Sequence, residues 1–372
     1  MDSITNQSSR EDVLLSVKDN GLMLEYASDE LKNDREIVIS AINSCEVALK
    51  FASKKLKNDR EIVLKAIKQN GHALSFAGEE LKGDKELALQ VIKSYSGVGF
   101  SYRIPFASDE LKADREVVLE AISSSGGDAL ELASKELKND REIVLKAVNL
   151  NGRALEFASK ELKNDREIVL AAVKSEFDGS LDGLALEFAS EELKNDREII
   201  LKAVSQYGDG VCDCEALAFA SEELKNDREI VLAAVKSNMV LQYVSDELKN
   251  DREIVLTAVK RDRHCSEFVA SDGDFTLAFA SEELRNDREV VLEAVRARGL
   301  SLRFASKKLK NDREIVLKAI NIDPEAIEYA SDELKNNREV VLKAINIDPG
   351  VIEYASDELK NDSEILEILE FI

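Results

Sequence analysis

One phrase of about seventeen residues recurs thirteen times along this chain, and the recurrence limits what the chain can fold into. Its cleanest copy is segment 154–170, ALEFASKELKNDREIVL. The alanine before the serine (valine in one copy) marks the copies, at positions 27, 52, 77, 107, 133, 158, 189, 220, 244, 280, 305, 330 and 355. Six of the twelve spacings are 25 residues, and the others range from 24 to 36. A short, nearly fixed period is typical of a tandem array in which each unit contacts only its neighbours.

The net charge of −23 is distributed over the whole chain and does not come from an acidic tail. Copies with an acidic pair, such as Glu191-Glu192, bring the average to about −2 per unit. Phosphate backbones and anionic membrane surfaces attract Lys and Arg, so an evenly acidic chain is a poor ligand for either. We therefore expect neither nucleic-acid binding nor adsorption to an anionic membrane.

We expect neither a cleaved signal peptide nor a membrane-spanning segment. Residues 1–9 are polar and do not resemble a signal peptide, and no apolar run approaches the ~20 residues of a membrane helix. Four cysteines in 372 residues are not the pattern of a disulfide framework. These features predict a cytoplasmic protein without membrane insertion. Secretion by a route without a cleaved signal is an alternative that the sequence leaves open.

Each copy predicts two helices of about 10–11 residues. Helix A spans 164–174, with Asn164 as N-cap and Glu167 completing a capping box. Helix B places apolar residues at i, i+3, i+4 and i+7, namely Ala154, Leu155, Phe157, Ala158 and Leu162.

The predicted fold class is all-α. The repeats predict a right-handed-type α-solenoid of ~25-residue two-helix hairpins that forms a single elongated superhelical array. At ~8–10 Å between packed helices, thirteen units predict a curved rod of roughly 100–130 Å. We expect residues 1–8 to form a disordered tail and residues 9–372 a continuous array, with an irregularity or hinge at 261–275.

The motif Phe-Ala-Ser-x-Glu-Leu-Lys-x-Asp-Arg-Glu-Ile-Val-Leu-x-Ala-Val, followed by Asn-Gly, resembles the repeats of domain-of-unknown-function family 4116. Those repeats occur in tandem in proteins of protists and some bacteria. The resemblance covers nearly all of residues 10–372. It implies a helical repeat array and no particular activity. The chain departs from the motif at Gly83, Lys85, Ala113 and Tyr243-Val244.

Five connections make the spacing between copies longer than 25 residues, and all five lie between helix A and helix B. They fall near residues 94–105, 123–128, 175–183, 205–215 and 261–275. Insertions of this kind commonly lie on the binding side of repeat proteins, although neutral drift in loop length explains them equally simply. The candidate partner-binding residues on this loop edge are Tyr95, Tyr102, Arg103, Phe177, Asp182, Tyr207, Asp209, Arg261, Arg263, His264 and Phe268.

The arginine of Asn-Asp-Arg-Glu is the most informative repeated polar residue. A cation in the first turn opposes the helix dipole, so another group should hold it. We predict a structural ladder in which each arginine bridges to Asp or Glu of an adjacent unit; a row of arginines offered to an acidic ligand is the alternative. The ladder residues are Arg60, Arg141, Arg166, Arg197, Arg228, Arg252 and Arg313, with equivalents at Arg35, Arg115, Arg288 and Arg338.

Metal sites and catalytic groups find little support. Cys212, Cys214 and His264-Cys265 do not have the spacing of zinc ligands. The segment 272–283 mimics part of a calcium loop but has Leu277 where the turn requires glycine. Nucleophile–base and phosphate-loop patterns are not found. We expect no enzyme activity, no cofactor and no metal.

The sequence therefore predicts a non-enzymatic protein-interaction or scaffold protein that presents an extended acidic helical-repeat surface. Its expected ligand is a protein, with a basic or mixed surface. The alternative is a structural spacer or self-assembling protein that associates through its apolar C-terminal helix, Ile365–Ile372.

Overall fold

The structure is a computed structural model of the chain, and it describes residues 5, 7–94, 108–175, 183–205, 216–237, 241–262 and 275–371. Within these ranges every regular element is helical, and the repeats follow one another in tandem, so the all-α prediction is confirmed. The chain divides into two compact units, Met1–Asp178 and Gly179–Ile372. Of the predicted N-terminal tail, the described part contains a turn in which the Ser8 amide donates to the Thr5 carbonyl at 3.0 Å.

Each repeat contains one long α-helix. In the first unit these helices are Arg10–Asp19, Arg35–Ser44, Arg60–Gln69, Lys85–Ser94, Arg115–Ser125, Arg141–Leu150 and Arg166–Lys174. In the second unit they are Arg197–Ser205, Arg228–Ser237, Arg252–Arg261, Arg288–Ala297, Arg313–Ile322, Arg338–Ile345 and Ser363–Phe371.

The long helix is followed by a 3₁₀-helix that carries the Ala-Leu-x-Phe part of the motif. These segments are Gly21–Tyr26, Glu46–Phe51, Gly71–Phe76, Gly127–Leu132 and Gly152–Phe157 in the first unit. The second unit contains Gly183–Phe188, Ala216–Phe219, Leu241–Tyr243, Thr276–Phe279, Gly299–Phe304, Pro324–Tyr329 and Pro349–Tyr354.

A third, very short helix precedes the next long one. It is a 3₁₀ turn at Leu31–Asn33, Leu137–Asn139, Leu162–Asn164, Leu224–Asn226, Leu248–Asn250, Leu284–Asn286 and Leu309–Asn311. It is a single α-helical turn at Lys54–Lys57, Glu79–Lys82, Asp109–Lys112, Glu191–Lys194, Asp332–Lys335 and Asp357–Lys360.

The prediction of one continuous helix B, and with it the two-helix hairpin, is therefore wrong. Ala158 is extended (φ −67°, ψ 157°) and ends the 3₁₀-helix. Ser159 then directs its amide to the preceding repeat, where the carbonyl of Lys138 accepts it at 2.9 Å. A helical Ser159 would keep that amide within its own helix, so the contact between repeats divides helix B in two.

The predicted N-cap is wrong by one residue. Asp165, and not Asn164, is extended and accepts the amides of Glu167 and Ile168 at 3.0 and 3.1 Å. The helix consequently begins at Arg166. Asn and Asp are almost equally good N-caps, so their adjacency leaves the choice to the wider structure.

The core is built from the same four positions of the long helices, except in the first and the last, Arg10–Asp19 and Ser363–Phe371. In Arg141–Leu150 these are Ile143, Val144, Ala147 and Val148, all fully buried. Long helices contact the long helices of neighbouring repeats, as Arg141–Leu150 contacts Arg115–Ser125 and Arg166–Lys174. The 3₁₀-helices form a second layer in the same way, and each fully buried Ile or Val side chain contributes about 1.5–3 kcal/mol.

One of the five insertions, at 123–128, lies in the described residues. The helix Arg115–Ser125 is longer than its neighbours, and Gly126 joins it to the next 3₁₀-helix with φ +94°. Glycine adopts this left-handed conformation without a steric cost, which explains its presence there.

No helix among the described residues combines the length and the apolar character needed to cross a membrane.

Candidate functional site

The polar side chains that recur in every repeat meet where one repeat contacts the next. Arg141 shows the arrangement: its Nε donates to Asp165 Oδ2 at 3.0 Å, and its Nη2 donates to Glu167. Asp165 is the N-cap of the following long helix, and Glu167 lies in its first turn. The arginine is thus held by two anions of its neighbour, which compensates its unfavourable position at the positive end of its own helix.

The same two-carboxylate contact recurs at nine further arginines. Arg10, Arg35, Arg60, Arg115, Arg197, Arg228, Arg252, Arg288 and Arg338 each pair with an Asp and a Glu of the following repeat. Arg313 pairs with Glu339 alone, because Asn337 stands where other repeats have Asp. Arg166 begins the last long helix of the first unit.

Two members of this ladder were missed by sequence reasoning. Arg10 follows Ser9, not the Asn-Asp pair of other copies, yet it bonds Asp34 at 2.7 Å and Glu36 at 2.6 Å. Its position 25 residues before Arg35 was the available signal. Lys85 replaces arginine and still lies 2.8 Å from each of its two carboxylate partners.

The aspartate of each ladder contact has two tasks. Oδ1 of Asp165 accepts the helix amides while Oδ2 accepts Arg141. Partial burial alone would raise the pKa of Asp165, but hydrogen bonds from the Ile168 amide and Arg141 outweigh it and lower the pKa below its ordinary value. At Asp34 the hydrogen bond from Arg10 is the main cause of a lowered pKa. The ionised form is therefore favoured in the folded state.

A second contact between repeats is made by the serine of the Ala-Ser pair. The Ser159 hydroxyl donates to Asn139 Oδ1 at 2.5 Å and accepts the Leu162 amide at 3.2 Å. The hydroxyl-to-asparagine bond recurs at Ser53, Ser221, Ser245, Ser281, Ser306, Ser331 and Ser356. Where Gly78 replaces serine, Asn58 occupies the space of the missing side chain, because a Cβ at Gly78 would lie 1.6 Å from Asn58 Oδ1.

Most of the predicted loop edge lies outside the described residues. Arg261 is described and is the last residue of the helix Arg252–Arg261. The residues outside the described ranges are Tyr95, Tyr102, Arg103, Phe177, Asp182, Tyr207, Asp209, Arg263, His264 and Phe268. Their role in partner binding remains a prediction.

A buried carboxylate lies next to the largest insertion and was not anticipated from the sequence. Asp262 is only 2 % exposed, and its Oδ1 accepts a hydrogen bond from Thr276 Oγ1. Its Oδ2 has no hydrogen-bond partner among the described residues. Burial raises the pKa of Asp262 to about 6, although the hydrogen bond from Thr276 and the charge of Arg298 act in the opposite direction.

An open depression of about 400 Å³ lies beside the insertion at 123–128. Lys146 Nζ donates to Ser123 Oγ there, at 2.5 Å. The lining residues are Arg115, Glu116, Leu119, Glu120, Ser123 and Lys146. This set includes neither histidine nor cysteine, and its carboxylates are typical of the acidic surface as a whole.

Groups of three or more His, Cys, Asp or Glu side chains arranged to hold a metal are not found in the part of the chain that the structure describes. Cys212, Cys214, His264 and Cys265 lie outside that part. Leu277, which argued against a calcium loop, is fully buried in the 3₁₀-helix Thr276–Phe279.

Comparison with family models gives repeated matches to the family described as Domain of unknown function (DUF4116). The matched segments are residues 9–57, 34–82, 84–138, 140–178, 180–210, 212–239, 237–272, 265–310, 291–335, 312–360 and 337–369. A search of curated proteins finds no match to the chain.

Replacing Asp165 tests the aspartate contact. Asp165→Ala should destabilise the chain by about 1 kcal/mol, because the cap and the partner of Arg141 are both lost. Asp165→Asn should cost less, since Asn337 caps its own helix by accepting the Val340 amide at 3.2 Å. Urea denaturation followed by circular dichroism measures both variants. Equal stability of the alanine variant and the wild type would contradict the assigned role.

The buried Asp262 should make the free energy of unfolding decrease as the pH rises. Its folded pKa of about 6 exceeds the unfolded value of about 3.9, so the folded state binds the extra proton. The stability associated with this proton is complete below about pH 4 and is lost as pH rises through 6. Asp262→Asn should therefore be more stable than wild type at pH 7.5, by on the order of 1–3 kcal/mol, and equal to it at pH 4. Denaturation series at both pH values measure this difference. Asp246→Asn, at a fully exposed position, is the control and should show no such difference.

Proposed function

We propose that this chain, which belongs to the DUF4116 family, is a non-enzymatic scaffold that binds protein partners on an extended acidic surface of helical repeats. The finer architecture belongs to the same proposal: a single elongated α-solenoid of the right-handed type, located in the cytoplasm. The observation that carries it is the constancy of the arginine ladder across connections of different length.

The ladder contact is the same whatever the number of residues between its partners. Arg228 and Asp251 are 23 residues apart, Arg197 and Asp227 are 30 apart, and Arg252 and Asp287 are 35 apart. The three Nε to Oδ2 distances are nevertheless 2.8, 2.9 and 2.9 Å. Extra residues between a long helix and the following 3₁₀-helix therefore leave the packing of consecutive repeats unchanged.

This separation of framework and connection supports a binding role. Loops that can change length on a rigid scaffold are the usual carriers of recognition. The recurring Arg, Asp, Ser and Asn side chains are engaged between repeats, which supports a structural use for them and not a catalytic one.

The charge of the exposed surface supports the choice of partner. The carboxylates at or just before the start of the third segment of a repeat are almost fully solvated, with 90 % side-chain exposure at Glu191 and 100 % at Asp246. A partner with a basic or mixed surface would be attracted to them, and the attraction would speed encounter and weaken with salt.

Shortening one insertion tests the binding role. Deleting residues 207–212 removes Tyr207 and Asp209 and restores the 25-residue period, with Asp213 where other repeats have the Asn or Asp that precedes the 3₁₀-helix. Asp19→Asn, which also removes one negative charge from an exposed site but lies at the end of the long helix Arg10–Asp19, is the matched control. Quantitative affinity capture from native lysate should recover a salt-sensitive partner with wild type and control, and lose it with the deletion. Failure of the wild type to capture any salt-sensitive protein would contradict the proposal.

Self-association is the second candidate, and one observation favours it. In the last helix, Ser363–Phe371, Ile365 is buried but the neighbouring Leu366 is 46 % exposed. An apolar side chain exposed at the end of a repeat array can contact a second copy.

Small-angle X-ray scattering with light scattering over a concentration series distinguishes the two candidates. A monomer with a maximum dimension of roughly 100 Å or more is expected for a free scaffold. A concentration-dependent dimer or polymer that disappears when residues 363–372 are deleted would establish assembly instead. Leu150→Lys, at another exposed leucine, is the control for nonspecific effects of surface charge. A compact particle would contradict the elongated architecture.

A further inference from the structure

Two short segments of this acidic chain contain only positive charges. Residues 294–311 (AVRARGLSLRFASKKLKN) include six cations and no Asp or Glu. Residues 47–58 (VALKFASKKLKN) include four cations and no acid. The octapeptide FASKKLKN is identical in both, and each copy is preceded by a cation, Lys50 or Arg303. The same basic arrangement therefore occurs once in each compact unit.

These segments differ from the other repeats at one structural position. Lys55 and Lys308 stand directly before the leucine of the motif, where every other repeat has Glu, such as Glu192. The lysine after that leucine pairs in several copies with an acid three residues earlier, as Lys194 does with Glu191 and Lys225 with Glu222, both at 2.8 Å. Two other repeats have lysine at that earlier position, Lys135 and Lys160, but only the basic segments have lysine at both positions, as Lys54-Lys55 and Lys307-Lys308. The two acidic positions that precede this half-buried lysine in many repeats are thus both positive here.

The uncompensated charges lie close together. Burial, and then the neighbouring cations Arg303 and Lys335, lower the pKa of Lys310. Burial, followed by Lys82 and Lys50, lowers the pKa of Lys57 in the same way. Lys307 and Lys308 are exposed, and no carboxylate of a described residue forms an ion pair with them. Mutual repulsion of this kind is relieved when an anion binds.

Aromatic rings hold one of these cations in place. The Arg303 guanidinium carbon lies 5.7 Å from the centre of the Phe304 ring and 5.9 Å from that of Tyr329 in the next repeat. In the first unit, Lys50 Nζ lies 5.8 Å from the Phe51 ring centre. Cation–π contacts fix the charged group without neutralising it. Each patch is therefore partly ordered before any ligand arrives.

We propose that the basic patch formed by Arg303, Lys307, Lys308 and Lys310, and its equivalent at Lys50, Lys54, Lys55 and Lys57, each bind a short acidic segment of a partner protein. This site is distinct from the acidic surface and the loop edge, and it takes a ligand of the opposite charge. A partner with acidic and basic regions could occupy both.

The surroundings of the patch favour a short acidic peptide over a nucleic acid. The repeats on either side present Glu282-Glu283 and Asp332-Glu333 at the equivalent positions. A duplex carries a charge every ~1.7 Å, and it would continue from the patch onto these carboxylates. One repeat provides roughly 10 Å, enough for about three or four extended residues at ~3.3 Å each. A peptide of that length can end before it meets the acidic neighbours.

The test uses isothermal titration calorimetry of the full-length protein with hexaglutamate as the probe, at low and at physiological salt. Lys307→Glu with Lys308→Glu recreates the Glu-Glu of four sibling repeats, so folding should be retained and circular dichroism should show it. The wild type should bind two peptides per chain, and this variant one. Adding Lys54→Glu and Lys55→Glu should abolish binding. The affinity of each altered site should fall at least tenfold.

The matched control changes the same charge elsewhere. Lys318→Glu with Lys343→Glu alters two exposed lysines on long α-helices and should leave both sites intact. No binding by the wild type at low salt, or equal loss in the control, would overturn the proposal. Tighter binding of a single-stranded hexanucleotide to the same lysines would overturn the choice of a peptide. These results do not depend on the capture experiment, so the scaffold proposal and this one can fail separately.

Discussion

The aspartate that precedes nearly every long helix makes the contact on which the repeat depends. Its two oxygens serve different repeats: one accepts the helix amides of its own repeat, and the other accepts the arginine of the repeat before it. Helix initiation and the register between neighbours are therefore set by one side chain. Individual exposed ion pairs contribute little to stability, so this contact matters chiefly because it determines which turn of one repeat faces which turn of the next.

The apolar core imposes the complementary constraint. The buried positions of a long helix form a broad stripe that packs against helices on two sides, and the 3₁₀-helices form a parallel layer of their own. A single repeat leaves half of that stripe in water. The ladder and the serine contacts lie at the margin of this core, where they add direction to an attraction that is itself non-directional.

The long helices could be predicted from sequence because their signals are local. Asp, Arg and Glu followed by Ile-Val-Leu gives a cap, a first turn and a buried face within a few residues. Helix B could not be predicted correctly, because its apolar spacing continues from Ala158 to Leu162 while the amide of Ser159 bonds to a residue twenty-one positions earlier. The arginine ladder could be predicted from the sequence, because a cation in the first turn opposes the helix dipole and needs an anionic partner. Asp262 could not, since its burial depends on residues distant in the sequence.

The serine contact has a consequence for how such a chain changes in length. The Ser159 amide bonds to a main-chain carbonyl, a group that every residue possesses, and the ladder tolerates lysine at position 85 in place of arginine. Each contact between consecutive repeats can therefore form whichever copies supply its two partners. Unequal recombination between copies would create contacts between repeats that are the same as the existing ones. Gain or loss of a whole repeat would then have little effect on the packing. Recombination out of register, which joins non-equivalent parts of two repeats, would instead separate the two partners of a contact.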